Sequence, residues 1–238
     1  MSTKLPRFDA RGSFAKMHYL EIVTRKLTSL RGLGAFPNLK TLKIDHSKIS
    51  SLGHELALSF TAGPAEAGTS PSSAKRVVSR PTKGSASGLT SQGTATTLAH
   101  LHTIRVQHSE VVTLKGLSEA VPDLARLDVQ HNHLTTLVGL EGAKKLRDLD
   151  ASYNALTTLA ALQGLSLSSL HVYKNRLESA APVVVKGQAS KGLVYYDFRK
   201  NPLKDLPESN RLYDAEASVR SGSLGSRYSG GGGYRSGK

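Results

Sequence analysis

Large apolar residues recur along this chain in blocks with an internal spacing of 3, 2, 3, 2, in which one of the fixed positions is polar. Residues 124–134, LARLDVQHNHL, superpose on residues 146–156, LRDLDASYNAL, placing Leu124, Leu127, Val129, Asn132 and Leu134 over Leu146, Leu149, Ala151, Asn154 and Leu156. Such spacing is not the helical period, so a bundle of amphipathic helices is excluded. The central alternation, apolar at positions four and six with polar residues between, predicts a short strand with one buried face. The same frame fits blocks that start at Met17, Leu39, Leu101, Leu167 and Leu193, making seven copies. Most steps between starts are 21 to 23 residues, one is 26, and one is 62. Between strands, stretches such as LTSLRGLGAFPNL and LTTLVGLEGAKKL return Leu30, Leu33, Phe36, Leu137 and Leu140 toward the same core as a turn or short helix.

A fixed period of this length means stacked units, each unable to bury its apolar face alone. Position nine carries Asn132, Asn154, Asn175 and Asn201 in the last four copies, where a buried amide can satisfy backbone groups of adjacent turns and build a structural ladder. The first three copies place Arg25, Ser47 and Ser109 there. Serine replaces part of that bonding; arginine cannot be buried, which marks repeat one as an N-terminal cap.

The pattern LxxLxLxxNxL is that of the leucine-rich repeat. With its length of roughly 22 residues and its LxxLxGL second half, the chain resembles the short intracellular leucine-rich-repeat class. That class is typified by the nuclear regulatory subunit of type 1 protein phosphatase, the spliceosomal A-prime protein and the leucine-rich light chain of axonemal dynein. The resemblance covers residues 17 to about 207 apart from an insert. It implies an α/β leucine-rich-repeat solenoid with about seven parallel strands on the concave face and turns or short helices on the convex face, interrupted here by one insert that its composition reads as disordered. It further implies a non-enzymatic scaffold that binds a protein partner in a multi-subunit assembly of cytoskeletal, axonemal or phosphatase type. The expected location is intracellular, in cytoplasm, cytoskeleton or cilium, with the nucleus as the alternative.

The chain divides into an N-terminal cap (1–16), repeats one and two (17–52), a low-complexity insert (53–97), repeats three to seven (98–207), a C-terminal cap (208–218) and a tail (219–238). The insert is rich in Ala, Ser, Thr and Gly, and such a composition cannot bury enough surface to offset its ordering entropy. The stretch NPLKDLPESNRLYDAEA, residues 201–217, starts with the Asn-Pro-Leu of the last repeat and is expected to continue as a capping helix. The Gly/Ser/Arg/Tyr tail is expected to be disordered, although Arg and Tyr spaced by Gly also suit stacking on unpaired bases.

The outward strand positions carry the binding expectation. Position three runs Tyr19, Thr41, Thr103, Arg126, Asp148, Ser169, Tyr195; position five runs Glu21, Lys43, Arg105, Asp128, Asp150, His171, Asp197; position seven includes Tyr173 and Arg199. From these, Tyr19, Lys43, Arg105, Arg126, Asp128, Asp148, Asp150, His171, Tyr173, Tyr195, Asp197 and Arg199 form the candidate partner face. Three carboxylates at its centre would repel a polyanion, so a protein segment with basic and apolar residues fits better. The plain alternative is a solvated sheet face whose neighbouring charges compensate one another.

Charge adds a second candidate surface. Of a formal net charge of +14, residues 1–52 carry +7, with Lys26, Arg31, Lys40, Lys43 and Lys48 around the first two repeats. An acidic partner or RNA would meet that end, and a ribonucleoprotein component is the alternative function. The absence of cysteine excludes disulfides, a thiol nucleophile and thiolate zinc sites. No apolar run reaches the roughly 20 residues that span a bilayer, and neither a secretory signal nor a convincing mitochondrial presequence opens the chain. His46, His108 and His131 share position eight of successive repeats, with His133 nearby. Without a convergent carboxylate they are read as polar strand-end residues, and no metal or cofactor is expected. No nucleophile, base and orienting acid converge, so neither catalysis nor a small-molecule substrate is expected.

Overall fold

The structure, a computed structural model, describes residues 14–61, 98–185, 188–189, 192–208 and 211–214. Each repeat contributes one strand where the sequence alternates: β1 (Tyr19–Val23), β2 (Thr41–Asp45), β3 (Thr103–Gln107), β4 (Arg126–Asp128), β5 (Asp148–Asp150) and β6 (Ser169–His171). A small two-stranded ribbon, β7 (Val184–Val185) with β8 (Gln188–Ala189), precedes β9 (Tyr195–Asp197), and β10 (Leu212–Asp214) ends the described chain. The first six strands and β9 lie parallel in one open sheet, in the order of the repeats. Their register keeps equal repeat positions abreast: Tyr19, Thr41, Thr103, Arg126, Asp148, Ser169 and Tyr195 form one row. This is a leucine-rich-repeat solenoid. The ribbon β7–β8 occupies the residues by which the 26-residue step exceeds its neighbours.

Behind the sheet, the position-four and position-six side chains meet the returning segments in one continuous core that runs from Leu27 to Leu206. The convex face is built of turns, short 3-10 segments at Leu33–Ala35 and Ala160–Leu162, and two helices, α1 (Leu52–Thr61) and α2 (Leu117–Ala120). The asparagines at position nine bond to backbone groups of adjacent repeats. In Asn175, Oδ1 accepts the Leu156 N–H at 2.9 Å, while Nδ2 donates to the carbonyls of Ala151 (3.0 Å) and Val172 (3.1 Å). Asn132, Asn154 and Asn201 repeat that pattern one unit away each time. Where serines replace it, Ser47 donates through both its backbone N–H and its hydroxyl to Ser109 Oγ, which donates to the Gln107 carbonyl at 2.8 Å. Arg25 is exposed, as a cap requires.

Two expectations are corrected. The insert was expected to be disordered from residue 53, yet Leu52–Thr61 is a helix with Leu52 and Leu56 fully buried. The stretch LGHELALSF places Leu52 and Leu56 on one face at a helical spacing, and Glu55 reaches back to accept the Ser29 hydroxyl at 2.7 Å and the Leu30 N–H at 3.0 Å. The backbone of Gly53 lies so close to the Lys115–Leu117 turn that a Cβ there would stand 2.2 Å from the Lys115 carbonyl. The remainder of the insert, residues 62–97, lies outside the described residues, as do residues 1–13 and the tail. The C-terminal cap was expected to be helical, but over Leu212–Asp214 it is a strand, antiparallel to β9. An open last strand exposes unpaired backbone groups, and β10 covers them. The Arg211 guanidinium completes that closure by donating to the carbonyls of Leu203 (2.9 Å), Leu206 (3.2 Å) and Asn201 (3.3 Å). Among the described residues no helix is long and apolar enough to cross a membrane.

Candidate functional site

The parallel register brings the predicted outward residues onto one concave surface, where most of their charges meet across strands. Lys43 Nζ on β2 lies 2.6 Å from Glu21 on β1, and Tyr19, 53% exposed, donates to the same carboxylate at 2.7 Å. These contacts draw the Glu21 carboxyl below its ordinary value, the Lys43 hydrogen bond being the main cause. Arg105 on β3 and Arg126 on β4 pair with Asp128 (3.0 Å) and Asp148 (2.7 Å) of the following strands. Gln107 adds a 2.7 Å hydrogen bond to Asp128. On β9, Asp197 is only 7% exposed and holds Arg199 through two bonds of 3.0 and 2.8 Å. Arg199 then lies over the Tyr173 ring, 5.7 Å from its centroid.

Asp150 stands apart. It is half-buried and lines a concavity of about 320 Å³, between Asp128 and His171 on the neighbouring strands, and its carboxylate accepts the Ser152 N–H at 3.0 Å. Among the described residues no lysine or arginine pairs with it. Burial pushes its carboxyl above the usual carboxylate value, against the opposing pull of Ser152 and His171 and with Asp128 adding to the rise. The central acidity read from the sequence thus reduces to one carboxylate. Tyr195 lies at the C-terminal end of the face, half-exposed on β9.

The five basic residues of the N-terminal end are spread over the surface rather than gathered. Lys43 belongs to the concave face, and Lys40 precedes β2 at the other end of the strands from Lys26 and Lys48. Lys26 and Lys48 occupy equal positions in the turns that follow β1 and β2, whereas Arg31 lies in the turn before the Leu33–Ala35 segment.

Along the C-terminal ends of the strands runs a feature that the sequence showed only in part. The position-eight residues His46, His108, His131, Tyr153, Lys174 and Lys200 all have left-handed backbones, with φ between 46° and 59°. That conformation turns the chain out of the strand and stacks neighbouring side chains. Ring centroids are 5.1 Å apart from His46 to His108, 4.6 Å from His108 to His131 and 4.1 Å from His131 to Tyr153, with planes within 18° of parallel. Lys174 Nζ caps the row 5.2 Å from the Tyr153 centroid. Burial within the stack, helped by the charges of His108 and Lys174, pulls His131 below the ordinary imidazole value. Tyr153 and Lys174 share the repeat position of the histidines, so the period itself held that signal. The sequence shows no carboxylate converging on this row, and the structure supplies one: Asp45 Oδ1 lies 3.0 Å from His46 Nδ1 and 3.1 Å from His108 Nδ1.

No family model matches the sequence, and no curated protein matches it. Among solved structures, the chain is similar to the internalin InlF of Listeria monocytogenes (16% identity, TM-score 0.40, 80% of this chain and 57% of that one). It is also similar to internalin C2 of the same organism (14%, TM-score 0.38, 80% of each chain). The leucine-rich repeat domain of APL1 matches at 17% identity, with a TM-score of 0.40, over 77% of this chain and 57% of that one. The chain therefore spans under two thirds of the first of these structures.

Proposed function

We propose that this chain is a non-enzymatic interaction module whose concave face takes a protein segment bearing a basic side chain. The observation that carries the reading is Asp150: a half-buried carboxylate in the lining of the concavity, with no lysine or arginine of its own among the described residues. A half-buried charge of this kind gains most from a lysine or arginine brought by a partner, because the low-dielectric surroundings that penalise it alone strengthen it in a pair. Tyr173 and Tyr195 offer aromatic surface toward one end, of the sort enriched at interface centres. Arg105 and Arg126 hold Asp128 and Asp148, and so set the register of the face rather than the affinity. Membership of the short intracellular class, and work inside a cytoskeletal, axonemal or phosphatase assembly, belong to the same proposal and rest on the repeat length and motif.

Affinity capture with the full chain tests it. Asp150→Lys is expected to lose the captured protein partners, whereas Asp123→Lys, remote from the concavity, retains them. Undiminished capture by Asp150→Lys refutes concave-face binding. Ultraviolet crosslinking of RNA to residues 17–52 or the tail would favour the ribonucleoprotein alternative instead.

A further inference from the structure

We propose that Asp45, His46 and His108 form a binding site for a divalent transition-metal ion of the zinc type at the edge of the concave face. Three donor atoms, one carboxylate oxygen and one ring nitrogen from each imidazole, lie within 4.8 Å of one another, and in both rings it is Nδ1 that faces Asp45. For ligand bonds of about 2.0–2.1 Å, the edges of a zinc tetrahedron are about 3.3 Å long. Two edges of the triangle, 3.0 and 3.1 Å, are therefore within a few tenths of an ångström of that length. The third closes by rotation of two imidazoles about χ2, a broad torsion, out of their present near-parallel stack.

The site is built by the fold rather than by side-chain chance. Asp45 and His46 are consecutive at the end of β2, and His108 follows the end of β3, with Asp45 registered against Gln107. The left-handed backbones of His46 and His108 (58° and 46°) are held by hydrogen bonds from their N–H groups to the Gln107 and Gln130 carbonyls. Two strands in fixed register thus present imidazoles from equal positions, with one carboxylate between them. Binding at Nδ1 moves each ring proton to Nε2 or to solvent. The side chains of His46 and His108 are 41% and 46% exposed, so an ion has access and keeps open positions for water. Two imidazoles and one carboxylate suit zinc, copper or nickel, whereas calcium and magnesium require a larger set of oxygen ligands.

Calorimetric titration of the untagged full chain with zinc chloride, in a buffer that does not bind metal, tests the assignment. One ion per chain is expected, with a dissociation constant on the order of 10 µM or tighter. His108→Asn and Asp45→Asn are each expected to weaken binding by at least about tenfold, and His133→Asn to leave it unchanged. Asparagine is chosen because it tolerates the left-handed backbone at position 108. Circular dichroism establishes that each variant folds. Should one fail to fold, ring resonances of the unaltered protein serve instead: zinc is expected to shift those of His46 and His108. No saturable binding, equal affinity in the folded variants, or unmoved His46 and His108 resonances would each overturn the proposal.

Discussion

Repeats four, six and seven bury an asparagine at the strand end and repeat five holds Asn154 half-buried there, whereas repeats two and three bury a serine. The long amide reaches an N–H of the preceding unit and carbonyls of both units, so every neighbour in the C-terminal half is tied to the next by a side chain. Ser47 and Ser109 are too short for that and bond chiefly to one another. What they leave undone is taken over on the convex side. Through Glu55 and its packing, α1 joins repeat one, by Ser29 and Leu30, to repeat three, by the Lys115–Leu117 turn. Vertical cohesion thus comes from the strand ends in one half of the solenoid and from a helix in the other.

Asn175→Ala should have the largest effect. It leaves the buried Leu156 N–H without a partner and takes one of two amide donors from each of the Ala151 and Val172 carbonyls, and about 3 kcal/mol of unfolding free energy should be lost in urea denaturation. Gly53→Ala tests the helical tie: its Cβ would press on backbone that cannot yield cheaply, with an expected loss of about 2 kcal/mol. A value near zero would mean that α1 does not bind the first three repeats together. Ser109→Ala should cost about 1 kcal/mol. If it cost as much as Asn175→Ala, the contrast between the halves would fail.

The smallest effect is expected from Asp150→Asn, and it depends on pH. Because the folded carboxyl titrates above its unfolded value, the folded state holds more protons between the two, and stability falls as pH rises through that window. The variant has no such proton to lose. It should therefore be slightly more stable than the parent at neutral pH and show no gain below the unfolded carboxylate range, about pH 3.9. Paired urea titrations at pH 3 and pH 7 would show it, and an equal gain at both would discount burial as the cause.

Much of this solenoid was legible in the residues because one period dictates both strand and core. The fixed positions of 124–134 and 146–156 place β4 and β5 abreast, and the asparagines announce their own bonds. The helix α1 was obscured because its leucines sit at the start of a segment whose average composition is polar and small. The antiparallel β10 was hidden because the need to cover an edge belongs to the assembled sheet and not to the residues that meet it. At the candidate site, the outward rows were readable, but which carboxylates find partners was not. Asp128 and Asp150 stand at equal repeat positions and differ only in what the strand before them offers: Arg105 for one, Asp128 for the other.

The left-handed turn at position eight restricts which amino acids this solenoid can carry there. Asparagine, aspartate, histidine and glycine enter that backbone region most readily, and β-branched side chains hardly at all. A saturation library across positions 46, 108, 131 and 153 should therefore lose isoleucine and valine and keep asparagine, whatever the rings do for function. Repeat one has Thr24 at the equivalent position, and Thr24 is not among the residues with positive φ. The row of rings thus begins at repeat two, and the backbone offers it room to lengthen only toward the C-terminal repeats, where Lys174 and Lys200 already share the left-handed conformation.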